Sequence, residues 1–164
     1  MKALRVVSVL AAAAASLAAL TVPVSAADAE PASATHCLLV LDQLRPGEES
    51  STPRSHTCFT GPQAERRAVA AAPAASVKLM TWATDANYGG EYTHVYGGAA
   101  CDSAGYSFSP NSWWSSRLSS YLVDGGCNKS FARGDRGNAS FTGDVPWVGA
   151  TLNDDIDYIK IWRG

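Results

Sequence analysis

Trp82-Ala83-Thr84-Asp85-Ala86-Asn87-Tyr88-Gly89-Gly90-Glu91-Tyr92-Thr93-His94-Val95-Tyr96 is the stretch whose reading decides the fold. It closes on strict alternation, Tyr92, His94 and Tyr96 against Thr93 and Val95, which is the period of a β-strand and not of a helix. Before that strand, Asn87, Gly89 and Gly90 supply residues that tolerate the positive φ of a tight fold of the chain. A second alternating run stands near the end, with Ile159 and Ile161 set between Tyr158, Lys160 and Trp162. From Val77 onward the chain consists of short aromatic and β-branched runs broken by Gly, Asn and Asp, so this part is expected to be all-β. Five Trp and six Tyr supply large apolar bodies with polar handles, which suits a small β core.

The region from Val77 to Trp162 can also be laid upon itself. In its first half Trp82 leads to Asp85-Ala86-Asn87-Tyr88-Gly89-Gly90 and the strand at Glu91-Tyr92-Thr93. In its second half Phe131 leads to Gly134-Asp135-Arg136-Gly137-Asn138 and the strand at Ala139-Ser140-Phe141-Thr142. Trp82 sits one residue further from its hairpin than Phe131 does from its own. Each half closes on a matching run: Trp114-Ser115-Ser116-Arg117-Leu118-Ser119-Ser120-Tyr121 aligns with Leu152-Asn153-Asp154-Asp155-Ile156-Asp157-Tyr158-Ile159.

On these residues the last 85 or so positions resemble the βγ-crystallin fold, particularly its secreted bacterial versions. The resemblance implies two Greek-key motifs packed as a small β-sandwich. Each motif would open with an aromatic strand and a glycine-bearing folded hairpin, then carry a late loop with two Asn/Asp residues followed by a Ser pair. The second half departs from that pattern by placing Arg136 where the first has its hairpin aromatic. Another small β-sandwich or barrel is the alternative architecture.

The family's late loop can bind calcium through carboxylate, hydroxyl and backbone oxygens, a hard set suited to that ion. Carried over residue by residue, the resemblance implies metal ligands among Asn153, Asp154, Ser119, Ser120 and Asp157. The second motif keeps Asn153-Asp154 but has Asp157 and Tyr158 in place of the Ser pair; the first keeps Ser119-Ser120 but has Ser115-Ser116 in place of the acidic pair. Since the family holds each ion between both motifs, one site is implied rather than two. A solvated Asx-rich turn is the alternative reading of Asn153, Asp154 and Asp155.

The N-terminal part is of a different kind. Lys2 and Arg5, the apolar run Val6–Leu20 and the small residues Val24-Ser25-Ala26 read as a secretory signal over residues 1–26. Its 15-residue apolar run falls short of the roughly 20 needed to span a bilayer. Loss of the leader would leave 138 residues, enough for one ordinary domain, with 11 basic and 15 acidic side chains and a formal charge of −4. A mildly acidic chain without a basic cluster is a poor holder of phosphate backbones, so nucleic acid is not an expected partner. Residues 27–35, rich in Ala, Pro and Ser, are expected to be disordered.

Four cysteines remain, Cys37, Cys58, Cys101 and Cys127, none at the spacing of a zinc knuckle or redox pair. Of the three formal pairings, Cys37–Cys58 and Cys101–Cys127 are favoured. Each closes a loop of about 20 to 25 residues and stabilises by about 3 kcal/mol in the chain-entropy model. Cys37-Leu38-Leu39-Val40-Leu41 reads as a buried strand with Ser55–Thr60 as partner, a stapled hairpin across a polar loop holding Pro46-Gly47 and Pro53. Gln63–Ala70 suits a helical turn or two, but Ala72-Pro73-Ala74-Ala75 stops it, and a linker is the expectation for this stretch. The expected organisation is thus residues 36–76 as stapled extension and linker, then 77–164 as the crystallin-like domain.

No catalytic residues are assigned. His36, His56 and His94 are scattered, no Gly-x-Ser-x-Gly elbow is present, and nothing in the spacing selects two of Asp85, Glu91 and Asp102 as an acid pair. The expectation is an extracellular, non-enzymatic domain with a stabilising role for calcium. The second reading, implied by the resemblance because some bacterial crystallin-like proteins inhibit metalloproteases, is a secreted protease inhibitor presenting Asp102–Trp113. A small hydrolase or toxin is the third. Arg133-Gly134-Asp135 is read as hairpin chemistry and not as an adhesive motif. Asn128-Lys129-Ser130 and Asn138-Ala139-Ser140 fit the glycan acceptor pattern, though the Ala-rich leader and linker look bacterial.

Overall fold

Strand β1, Thr35–Leu41, and strand β2, Pro53–Thr60, pair antiparallel with Cys37 directly opposite Cys58. This is the expected stapled hairpin, joined by the expected disulfide. The structure is a computed structural model and describes residues 33–164; the leader and most of the expected disordered N-terminus lie outside the described residues. On its other side β1 runs parallel to β4, Tyr92–Gly97. The extension is therefore two further strands of the main sheet, whose order is β2-β1-β4-β3-β6 with β3 at Val77–Ala83 and β6 at Ser120–Val123.

The stretch expected to be a linker forms helix α1, Ala64–Ala70. Sequence propensity alone would leave two turns marginal. Here Ala64 and Ala68, one turn apart, are fully buried, and the helix lies against β1 and β2. Arg67 fixes it further by donating Nη2 to the Thr60 carbonyl at 2.6 Å and stacking 5.4 Å from the Phe59 ring. With α1 outside and the core inside, β1 is buried on both faces, which is why it reads as an unbroken apolar run.

The second sheet has the order β5-β9-β7-β8, formed by Tyr106–Phe108, Tyr158–Trp162, Lys129–Gly134 and Gly137–Thr142. Its relation to the first sheet defines the topology. In the first half β4, β3 and β6 lie side by side, while β5 leaves to pair with β9 of the other sheet. In the second half β8, β7 and β9 lie side by side, and the segment after β8 returns at Val145 to pair with Tyr121 of β6. Each half lends its third segment to the other's sheet: the chain is two interlocked Greek keys forming an all-β sandwich.

Between the sheets Trp82 packs 5.4 Å from Phe108 and 5.7 Å from Trp114, in tilted geometries that aromatic pairs favour. Leu118, Tyr121, Leu152, Ile156, Ile159 and Ile161 complete this core, and β1 adds Leu39 and Leu41. The disulfide Cys101–Cys127 closes it at one end.

The internal repeat aligns one residue away from the sequence reading. Ala83 pairs with Ser120 and Trp82 with Tyr121; in the second half Arg133 pairs with Tyr158 and Ala132 with Ile159. The structural equivalent of Trp82 is therefore Ala132, and Phe131 points to the opposite face. The spacing from opener to hairpin then differs by two residues between the halves, in keeping with the longer first hairpin. The two hairpins also differ. The first folds over itself between Ala83 and Tyr92, through Asn87 and Tyr88 with φ of 57° and 63°. The second is a tight turn at Asp135-Arg136, closed by Gly134 opposite Gly137, and not the folded hairpin the resemblance implied.

Candidate functional site

Ser120 is fully buried, and its hydroxyl donates to the Asp85 carbonyl (2.5 Å) and accepts from the Tyr88 amide (2.9 Å). Thr84 supports the same fold, its hydroxyl accepting from Glu91 N and donating to the Asp85 carboxylate. Ser120 thus holds the first hairpin closed. Tyr158 stands in its place in the second motif and cannot reach back in this way, consistent with the tight turn found there. Ser119 is also buried; its amide donates to Ala83 and its carbonyl accepts from Val148.

In the second late loop Asp154 adopts φ 58°, and its amide donates to the carbonyl of Leu118 at 3.2 Å. That bond sets the two late loops side by side, so Asp154 and Ser119 belong to neighbouring backbone segments. Several groups of this loop are engaged with one another or with arginines. Asn153 donates its side-chain amide to Asp154 Oδ2 at 2.7 Å, and its carbonyl accepts from Arg136 Nη2 at 2.5 Å. Asp155 accepts the Arg136 amide at 2.8 Å and lies 3.3 Å from Arg136 Nε. Asp157 faces Arg133 Nε at 3.5 Å. Gly134 makes this approach possible, since a Cβ there would overlap the Asp155 carbonyl oxygen.

Calcium requires about six to eight oxygens around one point. In this loop a guanidinium stands against Asn153 and Asp155, a second faces Asp157, and the Ser120 hydroxyl is spent on the first hairpin. Any cation at this loop would share Asn153 and Asp155 with Arg136.

His36 and His94 both lie against the Tyr92 ring. His36 accepts the Tyr92 amide at Nδ1, 3.0 Å away, and its ring lies 5.0 Å from that of Tyr92. His94 is buried with Nδ1 3.2 Å from the Thr81 hydroxyl, and burial, reinforced by Lys78 and His36, lowers its pKa to about 4. The Glu65 carboxylate lies 3.8 Å from His94 Nε2 but is half exposed and does not offset that burial. Among the described residues one group of three metal-type ligands lies within reach of a common ion: Cys37, His56 and Cys58, two of them cross-linked to each other. Asp102–Trp113, expected as an inhibitory loop, contains β5, whose three residues are all buried. Asp102 itself accepts the Ala104 and Gly105 amides. Residues 105–108 are buried, while residues 102–104 and 109–113 on either side of them are exposed or partly so.

A feature the sequence did not announce lies on the outer face of the second sheet. The residues of β9 that alternate with Ile159 and Ile161, namely Tyr158, Lys160 and Trp162, point outward with Phe131 and Arg133 of β7. They form the floor of an open groove of about 780 Å³, walled by Glu48, Glu49 and neighbouring residues of the β1–β2 loop. That loop is tied down. The Glu49 carbonyl accepts from the Ser107 hydroxyl at 2.6 Å and the Tyr158 hydroxyl at 3.5 Å, and the Ser51 amide donates to Ser107 at 2.7 Å.

No family model and no curated protein matches this chain. Among solved structures the chain is similar to a single-substitution mutant of a βγ-crystallin domain from Clostridium beijerinckii, with 22% sequence identity and a TM-score of 0.37. The match covers 52% of this chain and 98% of that one. The fold is crystallin-like. The exchange of third segments between two Greek keys carries that statement, and the crystallin-like part takes the five-stranded sheet as its own β4-β3-β6 widened by β1 and β2. Among the described residues no helix is long and apolar enough to cross a membrane.

Proposed function

We propose that the protein is a secreted, non-enzymatic crystallin-like module, made durable outside the cell by covalent and ionic tethers, the ionic one standing in the late loop to which the resemblance assigns calcium. The observation that carries this reading is Arg136, whose side chain donates to the Asn153 carbonyl and lies against the Asp155 carboxylate. A tethered cation there neutralises the acidic loop permanently, whereas a bound ion would do so only when supplied. The disulfides Cys37–Cys58 and Cys101–Cys127 support the same role, each worth about 3 kcal/mol through the unfolded chain. Residues 1–26 serve in this reading as the leader that sends the protein to an oxidising compartment.

The test is thermal unfolding of the purified protein with excess calcium and with chelator, alongside the Asn153→Ala/Asp154→Ala double variant. Coincident melts are expected. A calcium-dependent rise in midpoint that the double variant loses would instead establish a cation site at Asp154 and Ser119 and make calcium the stabiliser.

A further inference from the structure

The groove on the outer face of the second sheet goes beyond a stabilising role. Its floor is a checkerboard: across β7 and β9, Arg133 stands opposite Tyr158 and Phe131 opposite Lys160, while Trp162 is paired with Lys129, which lies outside the lining. Each ring therefore has a cation as its cross-strand neighbour. Arg133 lies 4.9 Å from the Tyr158 ring and Lys160 5.9 Å from the Trp162 ring, while Phe131 and Tyr158 meet edge to face at 6.4 Å. Tyr158 and Trp162 are four residues apart on one strand and so stand roughly 13 Å apart. They span a length suited to a chain-like ligand rather than to one small molecule.

Because cations interrupt the rings, no continuous apolar patch is available to bury a hydrophobic helix or side-chain cluster. Two cations of the groove, Arg133 and Lys160, share its lining with the carboxylates Glu48 and Glu49, and Arg133 also lies against Asp157. The balance gives a polyanion no net attraction. It does suit a ligand whose groups both donate and accept hydrogen bonds, since guanidinium and ammonium only donate and carboxylates only accept. Sugar hydroxyls do both, and the C–H faces of pyranose rings lie flat on exposed aromatic rings. The wall is preformed, because Glu49 is anchored to Ser107 and Tyr158, so little ordering cost falls on binding.

We propose that this groove binds an uncharged polysaccharide of hexopyranose units, laid across Phe131, Tyr158 and Trp162. The extension bearing β1 and β2 then has a part in recognition, since its loop supplies the wall.

The probes are insoluble chitin, cellulose and granular starch, with heparin and oligo(dT) as polyanions. Depletion of the protein from solution by at least one of the three uncharged polymers is expected, unchanged by high salt. Trp162→Ala and Tyr158→Ala should each weaken it about tenfold or more, while Trp147→Ala, which removes a ring 53% exposed outside the groove, should not. Lys160→Gln, which leaves every ring in place, should weaken it less than Trp162→Ala; circular dichroism and melting confirm that each variant is folded. Retention on none of the three polymers, salt-sensitive binding to heparin or oligo(dT) alone, or a folded Trp162→Ala variant that binds like the parent would each overturn the proposal.

Discussion

The Ser120 hydroxyl bridges Tyr88 and Asp85, taking the amide of one and giving its proton to the carbonyl of the other, 35 residues earlier in the chain. This contact closes the first hairpin. Ser120→Ala leaves the Tyr88 amide and the Asp85 carbonyl without that partner, and a loss of about 2 to 3 kcal/mol is expected. Denaturant unfolding measures it, and amide exchange at Tyr88 should rise by more than the global change accounts for.

His94 predicts an acid limb in the stability profile. Its pKa is about 4 in the folded protein against 6.5 in the unfolded chain, because burial disfavours the charged ring. A base whose folded pKa is lowered contributes nothing unfavourable above 6.5; as pH falls from 6.5 toward 4 the unfolded chain takes up a proton that the folded one refuses. Stability should therefore fall across that window by about 3 kcal/mol at most. Unfolding midpoints at pH 7.5 and 4.5 measure this, by about the same principle, and His94→Gln should flatten the difference. An unchanged slope in that variant would assign the acid limb to other groups.

Two glycines separate close approach from backbone conformation. A Cβ at Gly134 would overlap the Asp155 carbonyl oxygen, so Gly134→Ala must push apart the second hairpin and its late loop. Gly143 has φ +70° but open space around it, so Gly143→Ala meets only the cost of the left-handed region. About 1 to 2 kcal/mol is expected for Gly143→Ala, and a larger loss for Gly134→Ala, where overlap is added. Equal losses would show that the hairpin and late loop separate freely.

Strand identity was the most legible property. Alternation at Tyr92–Tyr96 and Tyr158–Trp162 marked β4 and β9, and Cys37-Leu38-Leu39-Val40-Leu41 marked β1. Helix α1 reads in the sequence only as a helical turn or two within a linker, because its stability comes from burying Ala64 and Ala68 under β1 and β2, and alanines carry no periodic signal in an Ala-rich stretch. The repeat was legible but slipped by one residue. Phe131 resembles Trp82 in chemistry, yet the pairing of Arg133 with Tyr158 puts Ala132 in the buried position.

The expected ligand residues show the limit of carrying a pattern over. Asn153, Asp154, Ser119, Ser120 and Asp157 are implied by the resemblance alone, and a resemblance cannot reveal which oxygens already have partners. Arg136 was noticed only as a departure from an aromatic hairpin residue. Its reach to Asn153 depends on the turn at Asp135-Arg136, a three-dimensional fact.

By itself the sequence determined the all-β class, the two halves and the cysteine pairs, because alternation, turn residues and loop length act over short distances along the chain. Only the tertiary structure decided that β1 joins the main sheet beside β4, that arginines meet the acidic loop, and that Glu49 stands over Tyr158. Each of these brings together segments far apart in the chain. Their energies depend on burial and on the partners that burial selects, and neither is written in the local pattern.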